Sequence, residues 1–298
     1  MTNAVVDPLA DVGATLSVFA SGRFDLTTRL EHRSFWRATF TPDGPATLHL
    51  WWDGASVDAE AWGPGADWML ARVPGLIGND DAGYRPGDDD HPAVRRAHRN
   101  HPGLRIGASG TLYHELLPII IAQRITSGEA VRQWARLCRR LGDPAPGPAR
   151  GLLLPPAPNR ILGRPAWWFH PLGIEAKRAE TLRVVARHAT RIEEWAELTP
   201  LDAAAKLALL RGVGLWTVGS ALGPALGDAD AVPVGDYHVP HIVSWALAGE
   251  ARGTDERMLE LLEPYRGQRG RVIRLLIADG HRPPAFGPRQ RVLPMERW

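Results

Sequence analysis

The sequence predicts an α+β chain in two parts, strand-rich over residues 1–100 and helical over residues 101–298. Three observations predict it. Short segments mixing β-branched and aromatic residues, broken by turn clusters, fill the first hundred residues. Beyond His101-Pro102-Gly103 the apolar residues instead recur at helical spacing. A length of 298 residues is also enough for two cores.

Taken in order, Thr15–Ala20, Phe35–Phe40 and Ala46–Trp52 are predicted strands, the last two separated by the turn Pro42-Asp43-Gly44-Pro45. A short helix is predicted over Ala66–Arg72. Gly78–Pro92, rich in Asp, Gly and Pro, reads as a loop or boundary; its acids do not alternate as calcium ligands would. Leu112–Ile125 is apolar on nearly all sides, as a buried central helix is, with Pro118 predicting a kink or an early end. Ser127–Leu141 is amphipathic: Val131, Trp134, Leu137, Cys138 and Leu141 share one face. A Pro-rich connector spans Asp143–Pro158, and Ile174–His188 is a further helix. Thr199-Pro200-Leu201-Asp202 places Thr at the N-cap, Pro at N1 and an acid at N3, which predicts a helix over Pro200–Leu210.

Composition excludes several classes. Hydrophobic residues make up 44% and charged residues 23%, ordinary for a globular chain. No apolar run reaches the roughly 18 residues of a membrane span, and the N-terminus lacks the pattern of a secretory signal. With Cys138 the single cysteine, neither an internal disulfide nor a four-cysteine iron–sulfur cluster is available. A cytoplasmic location is the expectation. Residues 1–100 carry 9 Lys+Arg against 14 Asp+Glu, and residues 101–298 carry 26 against 19. A basic surplus confined to the C-terminal two-thirds suits a polyanionic partner. Solvation of Arg-rich helix faces is the competing explanation.

The informative segment is Leu207–His241. A helix ends, breaks at Gly212-Val213-Gly214, and resumes with small residues over Leu215–Leu222. Two glycines spaced by one residue allow a tight hairpin, since Gly tolerates positive φ and a close backbone neighbour. The unpaired amides at the start of the second helix then form a phosphate-binding site that needs no lysine. A hairpin without a ligand is the alternative. Some twenty residues on, the small-residue loop Ala231–Asp236 ends in an acid just before a helix over His238–Leu247. A capping Asp is common; a Gly-x-Gly hairpin followed at this distance by a Gly/Pro loop and an Asp is not.

That combination resembles the helix-hairpin-helix–Gly/Pro–Asp (HhH-GPD) superfamily of base-excision DNA glycosylases, in particular its AlkA-type 3-methyladenine DNA glycosylase II branch. The resemblance covers nearly the whole chain. Pro102-Gly103-Leu104-Arg105 with Glu115 and Ile119–Arg124 is similar to the start of that family's helical core, and Gly173–Leu182 to its helix before the hairpin. Gly22-Arg23-Phe24-Asp25-Leu26 and Thr41–Leu50 are similar to its N-terminal domain. The resemblance implies an antiparallel-sheet α+β domain over 1–100 and an all-α HhH-GPD domain over 101–298. It also implies a monomer acting on double-stranded DNA that contains damaged bases.

The resemblance makes Asp236 the catalytic carboxylate, stabilising positive charge on the deoxyribose as the N-glycosidic bond breaks. The base would first be flipped from the duplex. A 3- or 7-alkylated purine is already cationic and leaves without a strong general acid. In lyase-competent relatives a lysine stands two residues after the second hairpin glycine; Trp216 stands there here, and Lys206 lies outside the motif, which implies a monofunctional enzyme. Trp216 and Tyr237 are the candidates for lining the base pocket, with core packing the alternative for Trp216. Gly212, Gly214 and Thr217 match the positions that anchor phosphate. Gln123 and Arg124 occupy the loop that in relatives inserts a residue into the gap, although Arg124 and Ile125 leave the wedge undecided. No dedicated cofactor is implied beyond a monovalent cation at the Ala208, Leu210 and Val213 carbonyls.

Two features depart from the family. Pro264-Tyr265-Arg266 is similar to its Pro-Trp-Arg, but the next helix, Arg271–Ala278, has Leu275 or Leu276 where a pocket tryptophan is expected. Gly267 and Gly270 before it suggest a wider pocket. His238 and His241 are three apart, yet relatives often read Asp-x-His-Val here, so no zinc site is expected. Two other functions stay open: a glycosylase for oxidised or mismatched bases, and a DNA-binding protein that has lost catalysis.

Overall fold

A computed structural model describes residues 2–284. Its N-terminal part is one five-stranded antiparallel sheet in the order β1-β5-β4-β3-β2. The strands are β1 (Thr2–Val5), β2 (Thr28–Glu31), β3 (Ser34–Thr41), β4 (Gly44–Asp53) and β5 (Ser56–Trp62). Of the predicted turn, Pro42-Asp43 joins β3 to β4, while Gly44 and Pro45 already pair with Thr41 and Phe40 at the start of β4. One face of the sheet buries Phe35, Leu48, Leu50, Val57 and Ala59 against α1 (Val12–Leu16), α2 (Ala66–Ala71) and α3 (Val73–Leu76).

The predicted strand Thr15–Ala20 is instead the end of α1 and a 3₁₀ turn over Ser17–Phe19. Its β-branched and aromatic composition suggests a strand, but Val12, Leu16 and Phe19 bury at helical spacing. Asp11 starts the helix, accepting the Ala14 amide at 2.8 Å.

Two helical clusters follow. The larger surrounds α5 (Leu112–Ala122), which packs against α6 (Ser127–Leu141), α8 (Ala176–Arg187) and α11 (Leu215–Leu226). Short helices α7 (Pro158–Leu162), α9 (Ala189–Glu194) and α10 (Pro200–Leu207) complete it. The Thr199 cap forms as predicted, its side chain accepting the Asp202 amide, but α10 stops three residues before Leu210, where the hairpin turn begins. Pro118 does not end α5; the helix runs through it to Ala122. The smaller cluster joins α12 (Val239–Ala248), α13 (Asp255–Leu262) and α14 (Arg269–Ala278) to α4 (Pro92–Asn100). Helix α4 is absent from the sequence reading, and its Ala93 and Val94 bury among the C-terminal helices rather than on the sheet.

Sheet and helices are bound by buried polar contacts. Arg37 of β3 pairs with Glu115 of α5, both almost fully buried. His114 lies between the Thr27 and Thr39 hydroxyls at 3.1 and 3.0 Å. Asp25 accepts from the Ser21 and Thr27 amides and from the Trp134 indole of α6, fixing the loop before β2 on the helical body.

Candidate active site

The helices α10 and α11 and the turn between them form the hairpin. Only one of its two glycines needs to be glycine for conformational reasons. Gly212 has φ +89°, and a Cβ there would collide with the Thr181 hydroxyl. Gly214 is extended, with φ −99° and ψ −177°, and a Cβ would meet no neighbouring atom. Of the two glycines that allow the hairpin, only Gly212 is thus required by its conformation; a Cβ at Gly214, the N-cap of α11, would stand in open space. No side chain caps that turn, so the Leu215, Trp216 and Thr217 amides lack intrahelical partners.

Gln123, at the end of α5, holds the hairpin. Its side-chain amide donates to the Gly212 carbonyl at 3.0 Å and to the Thr217 hydroxyl at 2.9 Å. The Thr217 side chain is therefore engaged inside the protein. Arg124, next in the chain, is exposed and takes a left-handed conformation with φ +61°. Ile125 after it is half-buried.

Asp236 lies where the two helical clusters meet, on the loop from α11 to α12. Three glycine or turn features seat that loop. Gly219 of α11 lets the Val232 carbonyl lie directly on the helix, and Gly270 of α14 does the same for Ala231. The Asp230 carboxylate accepts the Gly267 and Arg269 amides at 2.8 and 3.0 Å and pairs with the Arg269 guanidinium. Gly270 thus lets the loop lie against α14.

The Asp236 carboxylate is gripped from both clusters. Its Oδ1 accepts the His238 and Val239 amides at 2.7 and 3.0 Å, at the start of α12. Its Oδ2 accepts the indole N–H of Trp216, on the first turn of α11, at 2.9 Å. A carboxylate at a helix N-terminus also gains from the helix dipole. The arrangement holds the carboxylate in a fixed orientation between the first turn of α11 and the start of α12. Trp216 is half-buried; Tyr237 is 78% exposed and packs edge-on against His238 and His241.

Of the expected site residues, Trp216 and Asp236 meet through the indole bond, while Tyr237, next to Asp236 in the chain, turns its ring to His238 and His241. Leu275 and Leu276 are both buried in helix packing. His241 Nδ1 accepts the Gly253 amide at 3.0 Å, a loop contact. Among the described residues no cluster of three or more His, Cys, Asp or Glu is placed to hold a metal ion. Among them, too, no helix is long and apolar enough to cross a membrane.

No protein-family model matches the sequence, and no curated protein matches it. Solved structures do match. The 3-methyladenine DNA glycosylase from Archaeoglobus fulgidus aligns with a TM-score of 0.77 at 19% identity, over 94% of this chain and 98% of that one. The Clostridium acetobutylicum 8-oxoguanine glycosylase/lyase bound to double-stranded DNA aligns at 0.67 and 12% identity, over 91% of each. The Schizosaccharomyces pombe 3-methyladenine DNA glycosylase bound to abasic DNA aligns at 0.52 and 19% identity, over 63% of this chain and 91% of that one. The chain therefore has the α+β fold of the helix-hairpin-helix DNA glycosylases.

Proposed function

We propose that this protein is a monofunctional DNA glycosylase that removes alkylated, cationic bases from duplex DNA and leaves an abasic site. The observation that carries the reading is Asp236. A carboxylate fixed by three N–H donors stands at the meeting of two helical clusters, joined by one of them to the uncapped first turn of a hairpin helix. The amides of that turn would seat a backbone phosphate, while the carboxylate would stabilise positive charge developing on the sugar. Two aromatic side chains, Trp216 and Tyr237, flank it and suit a flipped cationic base. Arg124, exposed at the apex of its loop, is the candidate to occupy the vacated space in the duplex.

The absence of lyase chemistry rests on the amines. The chain has two lysines, Lys177 and Lys206, on α8 and α10, while the position facing Asp236 holds Trp216. A Schiff base needs an amine at the sugar carbon, and an indole nitrogen is no nucleophile. A monovalent cation would sit on the Ala208, Leu210 and Val213 carbonyls. These are neutral oxygens at and after the end of α10, and that of Leu210 already accepts the Val213 amide.

The test is release of free bases from methylated DNA, resolved by chromatography, with wild type and Asp236→Asn. The variant is expected to bind abasic duplex as well as wild type or better, and to release no base. The wild-type product should be an intact abasic strand, and borohydride should trap no protein–DNA adduct. Wild-type turnover by Asp236→Asn, or a trapped adduct with the native chain, would overturn the corresponding half of the assignment. Release from an 8-oxoguanine duplex instead would favour the oxidised-base reading that the Clostridium likeness raises.

A further inference from the structure

Trp216 occupies two sites at once. Its backbone amide belongs to the uncapped first turn of α11, and its indole N–H donates to Asp236 Oδ2 at 2.9 Å. The other carboxylate oxygen is tied to α12, which belongs to the other helical cluster. Gly235, whose left-handed conformation (φ +93°) turns the chain into Asp236, lies near Trp216: a Cβ added there would come to 3.8 Å from the Trp216 Cβ. Gly235 is itself held by its amide on the Asp255 carboxylate at 3.0 Å. Removing the indole donor would leave Oδ2 without the bond from the α11 side, while Oδ1 would keep both α12 amides. The carboxylate would then be held through Oδ1 alone, with no bond from α11 to fix the direction of Oδ2.

We infer that Trp216 is a positioning residue for Asp236, and that through it a phosphate seated on the first turn of α11 and the carboxylate that acts on the sugar are set in one geometry. The inference rests on the glycosylase reading above. A pocket-lining role needs only the ring's area and π-face; positioning needs the N–H. The two roles divide between the two rings of the indole. Its five-membered ring carries the donor, and the benzo ring supplies most of the stacking surface.

Two substitutions separate these roles. In histidine, Nε2 stands the same number of bonds from Cβ as the indole nitrogen, also in a five-membered ring. Trp216→His therefore keeps a donor and loses the stacking surface; Trp216→Phe keeps a six-membered ring and loses the donor. A hydrogen bond to a charged group, once removed, typically changes a rate by about 10- to 100-fold. In base release from methylated duplex, Trp216→Phe should lower kcat about 10- to 100-fold with KM within about threefold of wild type. Trp216→His should keep kcat within about threefold and raise KM. The reverse pattern, with Phe close to wild type in kcat and His strongly impaired, would overturn positioning and leave Trp216 as a stacking surface only.

A measurement without turnover protects the test against variants that fold poorly. In protein carrying ¹⁵N-labelled tryptophan, the Trp216 indole N–H, assigned from its loss in Trp216→Phe or by selective labelling, should move strongly in Asp236→Asn. The other indole resonances should hold. An unmoved Trp216 resonance would show that the bond does not exist in solution. Asp236→Asn also separates this inference from the reading beneath it. If that variant turns over normally, the glycosylase assignment of Asp236 fails. If it is inactive while Trp216→Phe is fully active, the positioning role alone fails.

Discussion

At the start of α5 a carboxylate does what a hydroxyl usually does at a helix N-terminus. Glu193 accepts the Tyr113 amide at 2.8 Å, reaching across from α9. Burial pushes its carboxyl up to about 7, and the amides of Tyr113 and Leu112 pull it only part of the way back. Since this lies above the ordinary 4.5, the native state holds the proton more tightly than the unfolded chain does. The stability that Glu193 contributes is therefore full below about pH 4.5 and is lost as pH rises through about 7. Glu193→Gln keeps an acceptor for both amides and has nothing to titrate. Its urea midpoint relative to wild type should rise between about pH 5 and pH 8 and then level off. A difference that stays flat over that interval would remove Glu193 from the pH dependence. The residue matters beyond stability because α5 carries Gln123 and Arg124 at its other end.

At the scale of elements, the two hairpin glycines make different demands. Gly212→Ala forces a side chain into a left-handed backbone and against Thr181, and should destabilise the fold by about 1–3 kcal/mol. Gly214→Val meets neither obstacle and should melt with the wild type, yet it puts a branched side chain at the N-cap of α11, beside its uncapped amides. Its affinity for an abasic duplex should fall about tenfold or more and to a similar degree for different sequences, since a phosphate contact reads none. The slope of affinity against salt should change little, because no cationic side chain is lost. A folded Gly214→Val protein that binds like wild type would leave the hairpin a structural turn. This distinction also shows where the sequence was legible. Thr199-Pro200-Leu201-Asp202 and the Gly-x-Gly spacing are local signals, and both delivered their elements. Helix α1 was misread because the composition of Thr15–Phe19 outweighed the wider spacing from Val12, and the Asp11 cap lay outside the segment weighed. Asp236 was legible from its distance to the hairpin. Its bond to Trp216 was not, because it needs α11 and α12, helices of different clusters, to meet. The grip of Gln123 on Gly212, 89 residues away, was hidden for the same reason.

Over the whole molecule, the sheet carries none of the proposed site residues, yet it is fastened to the helix that supports them. Arg37 reaches from β3 to Glu115 in the first turn of α5, with its other contacts on the Phe19 carbonyl and the Thr28 and Thr111 hydroxyls. Burial raises the Glu115 carboxyl, and the guanidinium opposes that rise. His114 beside it is held well below the ordinary histidine range, by burial first and by Arg37 second, so it sits between Thr27 and Thr39 as a neutral ring. A second tie closes the other side: Asp279, after α14, takes Arg96 and Asn100 of α4, while Asp81 pairs with buried Arg271. A buried pair that loses one partner leaves a charge without compensation, at a cost of about 3–5 kcal/mol. Arg37→Met fills much of the volume but strands Glu115, and should lower stability by about that amount. Glu115→Gln in the same chain removes the stranded carboxylate and should recover part of the loss, the signature of coupling between contacting residues. Denaturant unfolding followed by far-ultraviolet circular dichroism and by tryptophan fluorescence would measure both effects. If Arg37→Met unfolded at the wild-type midpoint, or the second substitution added its own loss in full, the pair would not be what fastens the sheet to α5.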